Sequence, residues 1–491
     1  MELSSILKFL DNKAILITGG AGFLAKIMVE KILRTQPNVK KVYLLLRAVD
    51  NKAASLRLQN EILGKDLFKV LKQKMGANFN SFISEKVTVI PGDITCEELA
   101  IKELTLKEEL WRDVDVIVNL AATTNFDERY DESLYLNTFG AKHVLDFAKK
   151  CTKLKVLLQV STAYVSGETK GLVKETAHDM RDALNGRPGL DIQMEKKLVV
   201  DKLEELHAQE ITEDKIKQIM KDMGLERARH WGWPNVYVFT KALGEMMLMQ
   251  EKEDIPLVFI RPTIVSSTFK EPIPGWVEGI RTIDSLAAAY GKGRLPCFLG
   301  DPNSVVDVIP ADMVVNAMLV AAMAHSNDGN DVTIYHVGSS VKNPVKFTCL
   351  HEAGYQYFKR HPWVNKDGDP VIVTHVKVLD SMASFKRYIT LHYSLPLKGL
   401  ELANMAFCQY FKGTCMEMNR KINHVLRLVE IYRPYLFFKG VYDDTNTEKL
   451  RIAAENKGVE TDLFYFDPKV INWEEYFKNT HLPGVVKYVL K

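Results

Sequence analysis

Apolar positions in this chain follow two patterns, with a change of character near residue 344. Before it, short, mostly apolar runs alternate with stretches of helical period. The runs cover residues 14–17, 42–46, 87–90, 114–120, 156–160, 257–260 and 332–337. Strands apolar on both faces and separated by helices belong in a parallel sheet covered on both sides. The expected fold is therefore α/β, a Rossmann-type doubly wound parallel sheet. Residues 1–10 place Leu3, Ile6, Leu7 and Leu10 at helical spacing. This predicts a short amphipathic helix, expected to pack on the domain in preference to touching a membrane. The most apolar stretch, 313–324, is short and contains Asn316, which suits a buried core helix; no run of 18 apolar residues predicts a membrane span.

Two regions break the alternation. From about His178 to Arg229 the chain is polar and charged, with helical stretches at 192–208 and about 214–223. This reads as an inserted helical cover over the sheet edge. Residues 346–394 read as a linker region, with a loop at 362–370. Residues 395–491 are helical and aromatic-rich without strand alternation, and form a C-terminal, mostly helical domain. The first domain is expected to span 1–345, with its insertion at about 178–229.

Composition narrows the field. A chain of 491 residues with 46% hydrophobic and 26% charged residues is ordinary globular protein. A net charge of +3, with no basic block interleaved with aromatics, gives no reason to expect nucleic acid. The six cysteines (Cys96, Cys151, Cys297, Cys349, Cys408 and Cys415) form no Cys-x-x-Cys pair. Neither a thiolate metal site nor a disulfide framework is expected, and the compartment reads as reducing. The first strand begins near Lys13, which leaves no room for a cleaved signal or long transit peptide.

The candidate chemistry sits where strands end. The first apolar run leads into Thr18-Gly19-Gly20-Ala21-Gly22-Phe23-Leu24-Ala25 and then a helix. In that context a glycine loop binds a dinucleotide pyrophosphate. Its spacing reads either as Gly19-x-x-Gly22-x-x-Ala25 or as Gly20-x-Gly22-x-x-Ala25. The second strand ends in Arg47, suited to the 2′-phosphate of NADP; Asp50, three residues later, keeps a ribose-binding acid and NAD as the alternative. Gly92-Asp93-Ile94 ends the third strand, where a carboxylate can meet the adenine amino group. Asn119-Leu120-Ala121-Ala122-Thr123 ends the fourth, its small residues letting backbone lie against a cofactor. Ser161 and Thr162 place two hydroxyls at the end of the fifth.

Tyr-x-x-x-Lys puts a phenol and an ammonium on one helical face, where the cation lowers the phenol pKa for proton transfer. The spacing occurs at Tyr237, Tyr355, Tyr435 and Tyr465. Pro468 interrupts the last, and Tyr355 and Tyr435 lie outside the sheet region. Only Tyr237, with Lys241, falls after the hydroxyl strand and before another buried strand.

In that order these residues resemble the extended short-chain dehydrogenase/reductase superfamily. The segments 17–26 (ITGGAGFLAK), 42–48 (VYLLLRA), 160–165 (VSTAYV), 232–244 (GWPNVYVFTKALG), 260–265 (IRPTIV) and 274–276 (PGW) are similar to the plant branch of the alcohol-forming fatty acyl-CoA reductases. The segment Phe466-Asp467-Pro468-Lys469 with Asn472-Trp473 resembles that family's terminal helical domain, so the likeness covers the whole chain. Ala21 departs from the threonine expected before Gly22.

The resemblance implies four-electron reduction of a long-chain acyl-CoA by NADPH, through a hemithioacetal and an aldehyde, to a primary alcohol. It implies Tyr237, Lys241, Thr162 and Ser161 as catalytic residues, with Thr162 ranked above Ser161 for its spacing to Gly167. As cofactor-binding it implies Thr18, Gly19, Gly20, Ala21, Gly22, Phe23, Leu24, Arg47, Asp93, Ile94, Asn119, Ala121, Ala122, Thr123, Asn137, Pro262 and Thr263, with Tyr237 and Lys241 again. It further implies peripheral contact with the endoplasmic reticulum membrane. For that contact residues 422–442 are a candidate interfacial element, a core helix of the second domain being the alternative, and Pro434 is expected to interrupt any helix there. The competing functions are a reductase that stops at the aldehyde, a small-substrate reductase, and a non-catalytic dinucleotide-binding protein.

Overall fold

The computed structural model describes the chain apart from residues 1–4, 178–182, 327–331, 407–409, 411, 459 and 491. Its centre is a seven-stranded sheet of β1 (Ala14–Thr18), β2 (Lys41–Leu46), β3 (Val87–Pro91), β4 (Val116–Asn119), β5 (Val156–Val160), β6 (Leu257–Pro262) and β7 (Val332–Val337). The spatial order is β7-β6-β5-β4-β1-β2-β3, and every pairing is parallel. The apolar runs thus became strands as their pattern predicts, each within a few residues of its expected bounds. The order reverses between β1 and β4, and ligands bind at such a switch point beyond the carboxyl ends of the strands.

Both faces of the sheet are covered. Helices Phe23–Thr35 and Ala311–Ala324 lie on one face, and every residue of the second is buried. Met313, Val314, Val315, Met318, Leu319 and Val320 there each contribute about 1.5–3 kcal/mol of burial. The N-terminal helix Ile6–Leu10 packs against Ala311–Ala324 through buried Ile6 and Leu10, as expected. Helices Gly140–Lys149 and Val236–Glu251 cover the opposite face. Buried Arg261 at the end of β6 joins it to Glu245 of the latter helix, Nε to Oε1 at 3.0 Å, and also donates to the Thr176 carbonyl.

The cover is placed differently from its expected position. Its helices, Ile192–Ala208 and Glu213–His230, pack chiefly on helices Tyr130–Leu134 and Val236–Glu251, a layer removed from the sheet and not over its edge. Buried Glu195 is the reason: it accepts from the Tyr130 hydroxyl at 2.7 Å, from Trp231 Nε1 at 2.8 Å and from Arg227. One carboxylate thereby ties both cover helices to the layer beneath. The first residues of the cover, His178 among them, lie outside the described residues.

The segment expected as a linker is also built. Residues 346–394 contain helices Phe347–Arg360 and Met382–Ile389, anchored by buried Phe358, Phe385 and Ile389. Nor is the C-terminal region free of strands, because Lys439–Tyr442 pairs in parallel with Lys170–Val173. Phe464, Phe466, Trp473, Tyr476 and Phe477 enter the same apolar core as helices Phe23–Thr35 and Ala311–Ala324. Aromatic residues at irregular spacing were here filling a neighbour's core.

In 422–442 the interruption expected at Pro434 does not occur. This stretch lies largely in helix Lys412–Leu436, which runs through Pro434, and Ile431 and Pro434 are buried. Cys96, Cys151, Cys297, Cys349 and Cys415 are free thiols, and Cys408 lies outside the described residues.

Candidate active site

The glycine loop turns at Gly19, whose φ of +63° favours glycine. A Cβ there would lie 2.8 Å from both Cα and N of Ala121, so loop and β4 end approach too closely for any side chain. The Gly22 amide donates to the Gly19 carbonyl at 2.7 Å, and helix Phe23–Thr35 begins at once, with no side chain capping its first amides. Those amides, at Phe23 and Leu24, are left for an anion.

Thr18 Oγ1 donates to Asn119 Oδ1 at 2.5 Å and accepts from the Ala121 amide at 3.2 Å, while Asn119 Nδ2 donates to Gln159 Oε1 at 2.7 Å. This buried chain crosses β1, β4 and β5 and fixes the backbone of Ala121. The two side chains thereby position the loops at the ends of β1 and β4.

At the far end, Arg47 is exposed just beyond β2, and Arg57 donates to its carbonyl at 2.7 Å. Two guanidinium-bearing residues thus meet just beyond the end of β2; Arg57 also pairs with Glu61 at 2.7 Å. Asp50 caps helix Asn51–Arg57, accepting from the Ala53 amide at 2.7 Å, so the acid that kept NAD open has a local structural use. Asp93 Oδ1 takes the Thr95 amide and hydroxyl, each at 2.9 Å. Buried Ile94 gives its carbonyl to His143 Nδ1 at 2.8 Å.

The reacting end is built on helix Val236–Glu251. Asn235, in extended conformation, caps it by accepting from the Val238 amide at 3.2 Å, which sets Tyr237 in the first turn and Lys241 one turn on. Lys241 is 4% exposed and donates to the Val160 carbonyl at the end of β5 at 2.9 Å. Burial lowers its pKa to about 8, partly opposed by Glu245. Burial pushes the Tyr237 phenol up to about 12, and a hydrogen bond with Thr162 and the charge of Arg281 pull it back only in part.

The expected division of labour therefore needs correction. Lys241 is spent on a carbonyl, and the cation that acts on the Tyr237 phenol is Arg281. The phenol stays neutral at physiological pH, which makes it a donor.

Thr162 Oγ1 accepts from the Tyr164 amide at 3.3 Å and reaches the Pro262 carbonyl at 3.5 Å. Ser161 Oγ is buried without a hydrogen-bond partner. Thr162, in contact with the phenol, is the better placed of the two hydroxyls. Buried Asn137 braces the site, since its Nδ2 donates to the Thr123 carbonyl and Thr240 Oγ1 at 3.1 Å while its Oδ1 accepts from the Thr123 amide at 3.1 Å. Thr263 Oγ1 is likewise committed, to Asp307 Oδ1 at 2.9 Å.

Sequence reasoning missed an aromatic wall around Tyr237. Phe126 stacks on it with centroids 5.5 Å apart and 12° between planes, and Tyr432 and Tyr435 pack on Phe126 at 5.1 and 5.0 Å. Asn235 Nδ2, on the residue that caps the helix, donates to the Tyr435 hydroxyl at 2.7 Å. Arg427 pins the wall by pairing with Asp127 at 2.7 Å and Asp222 at 2.6 Å. Tyr435 had been set aside as a competing Tyr-x-x-x-Lys outside the sheet region. It borders the site instead, and nothing in local sequence could have placed it there.

Two family profiles described as male sterility protein, the first of them NAD-binding, match residues 17–318 and 392–491. An alcohol-forming fatty acyl-CoA reductase of Simmondsia chinensis is 64% identical over 490 residues, covering 100% of this chain and 99% of that protein. This chain belongs to the family of fatty acyl-CoA reductases. Fatty acyl-CoA reductase 1 of Arabidopsis thaliana is 53% identical, with 99% of each chain covered. Among solved structures, the reductase domain of a nonribosomal peptide synthetase from Mycobacterium tuberculosis superposes on this reductase with a TM-score of 0.59. It is 16% identical over 99% of this chain and 95% of that one, a likeness of fold. The glycine loop packed against Ala121 and the unpartnered Ser161 hydroxyl, both drawn from the chain itself, fit a dinucleotide lying across the switch point.

Proposed function

We propose that this protein reduces long-chain fatty acyl-CoA to primary alcohol with two equivalents of NADPH, releasing CoA. The observation that carries the reading is the Tyr237 phenol, neutral and in contact with Thr162, at the carboxyl end of β5 beside the glycine loop. When bound, the dinucleotide supplies the hydride for each reduction. Gly19–Gly22 and the amides of Phe23 and Leu24 would hold its pyrophosphate, with Arg47 and Arg57 at the 2′-phosphate and Asp93 at the adenine.

As the thioester carbonyl carbon gains a hydride, charge develops on its oxygen. Tyr237 and Thr162 donate to that oxygen, and donors fixed in place before reaction are worth most there. Tyr237 gives its proton to form the hemithioacetal. The carbon–sulfur bond then breaks, leaving aldehyde and a CoA thiolate that takes up a proton. The aldehyde oxygen meets the same two donors in the second reduction, and Tyr237 protonates the alkoxide to the alcohol. Lys241, cationic below about pH 8, is placed at the Val160 carbonyl to hold a ribose hydroxyl and return a proton to Tyr237.

The cover and the wall of Phe126, Tyr432 and Tyr435 suit an apolar chain better than a sugar or small ketone. The deciding experiment supplies hexadecanoyl-CoA and NADPH to the purified protein and follows the lipid products. Hexadecanol is expected with two NADPH consumed per CoA released; aldehyde accumulating at one NADPH per CoA refutes the four-electron reading.

Peripheral contact with the cytosolic face of the endoplasmic reticulum membrane is part of the same proposal. No helix of the described residues is long and apolar enough to cross a membrane. Leu391, Leu395, Leu402, Met405 and Met416 are exposed, with Lys398, Lys412 and Lys421 exposed among them. Apolar side chains flanked by lysines suit an interfacial element. Vesicle flotation should weaken in a Leu402→Glu/Met405→Glu variant, and unchanged flotation refutes this face.

A further inference from the structure

The chain after Pro274-Gly275-Trp276 forms a strap across the end of the glycine loop. Trp276 stacks on Phe23, the first residue of the loop's helix, with centroids 5.3 Å apart. Glu278 pairs with Lys26 of the same helix and lies 3.1 Å from Lys65. Underneath, the strap is seated on the C-terminal region, since a Cβ on Gly275 would lie 2.5 Å from the Thr480 carbonyl. Asp284, buried one turn into the following helix Thr282–Gly291, sits 3.1 Å from buried His481 Nε2.

Arg281 is the exception on this strap. Its guanidinium lies over the Phe23 ring, Cζ 5.0 Å from the centroid, and it is half-buried. Among the described residues it makes no side-chain hydrogen bond and no ion pair. The groups in electrostatic reach are Asp284, Glu278 and the Tyr237 phenol. Both carboxylates have other partners, Asp284 the His481 ring and Glu278 the two lysines. Five donors on a fixed planar fork are therefore unspent, in a partly desolvated place between the glycine loop and the reacting tyrosine.

An unpaired buried cation is costly, and its location indicates what would compensate it. A guanidinium fork matches phosphate oxygens bidentately. On the reductase reading, two ligands that converge here carry pyrophosphate, the dinucleotide and CoA. Resting on that reading, we propose that Arg281 binds the pyrophosphate of a nucleotide ligand, the strap holding it over Phe23 for that purpose.

The test uses full-length Arg281→Gln and Arg281→Lys. NADPH affinity is read by fluorescence titration without acyl substrate. Steady-state kinetics then compare hexadecanoyl-CoA with the hexadecanoyl thioester of N-acetylcysteamine, which has no phosphate. Losing a charge-assisted pair is expected to weaken the affected ligand about 10- to 100-fold in Arg281→Gln. Arg281→Lys, which keeps the charge and loses the fork, should fall between.

A rise in the NADPH Kd assigns the pyrophosphate to the dinucleotide. A rise in KM for the CoA ester alone, with NADPH affinity and the phosphate-free thioester unchanged, assigns it to CoA. Changes below about twofold in both measurements overturn the proposal, and Arg281→Lys decides in the same way if Arg281→Gln does not fold. The titration needs no turnover. A protein that binds NADPH through Arg281 and makes no alcohol would sink the proposed function and leave this site standing.

Discussion

Replacing Tyr237 by Phe removes one oxygen and leaves the ring, which makes it the sharpest test of the site. The stack on Phe126 at 5.5 Å needs only the ring and should persist. Thr162 loses the phenol but keeps the Tyr164 amide as donor and the Pro262 carbonyl as acceptor, so no buried polar atom is orphaned. The cost to folding should stay below about 1 kcal/mol, the net worth of one hydrogen bond whose partner is otherwise satisfied. Catalysis should suffer far more. The oxygen is one of two fixed donors to the developing oxyanion, a loss worth about 3–4 kcal/mol. It is also the proton source, which carries about 10²–10⁴ in rate. The two roles overlap, so kcat should fall by about 10³–10⁴ while the NADPH Kd moves less than about threefold. The assay is single-turnover NADPH oxidation with hexadecanoyl-CoA, alongside fluorescence titration of NADPH. A kcat within tenfold of the parent would refute the assignment of Tyr237. A large loss of NADPH affinity would mean that it serves mainly to bind.

Lys241, with a pKa of about 8, is cationic below that pH and neutral above it. The kcat/KM for NADPH should therefore decline as pH rises through about 8, and a profile flat to pH 10 contradicts the ribose-holding role. Arg47→Ala should raise the KM for NADPH about tenfold and leave that for NADH within twofold, through loss of a charge-assisted contact to the 2′-phosphate; equal changes for both would remove Arg47 from the site. Glu195→Ala strands Arg227, the Tyr130 hydroxyl and Trp231 Nε1. Breaking a buried pair costs about 3–5 kcal/mol, and because Arg227 reaches solvent the lower end is expected, seen as a melting temperature at least ~3 °C lower. An unchanged melting temperature would mean the cover is not held through this carboxylate.

Local pattern located what depends on local pattern. The seven strands were legible because a strand buried on both faces must be largely apolar, as Ala14–Ile17 of β1 and Val42–Leu46 of β2 are. The glycine loop was legible because only glycine adopts the Gly19 turn and tolerates Ala121 at 2.8 Å. The choice of Tyr237 among four spacings followed from strand order, the hydroxyl pair at Ser161-Thr162 and the proline that breaks the Tyr465 copy. Side-chain commitments were not legible. Thr18, Asn119 and Thr263 stand at strand ends and Asn137 in the helical segment Tyr135–Phe139, and their polar atoms brace neighbouring loops. Phe126, Tyr432 and Tyr435 carry no motif, because stacking can be satisfied by any aromatic that the fold brings near.

The sequence by itself determined the parallel sheet, the dinucleotide loop and the chemistry of a phenol beside a hydroxyl strand. Each follows from periodicity or from a backbone conformation that few residues allow. Only the tertiary structure decided how charge is distributed in the site. Lys241 turns to the Val160 carbonyl, burial keeps the Tyr237 phenol neutral, and Arg281, 44 residues along the chain from Tyr237, comes within electrostatic reach of that phenol with no ion pair among the described residues. Electrostatics falls off with distance in space and with exposure to water, and neither quantity is written in the spacing of residues.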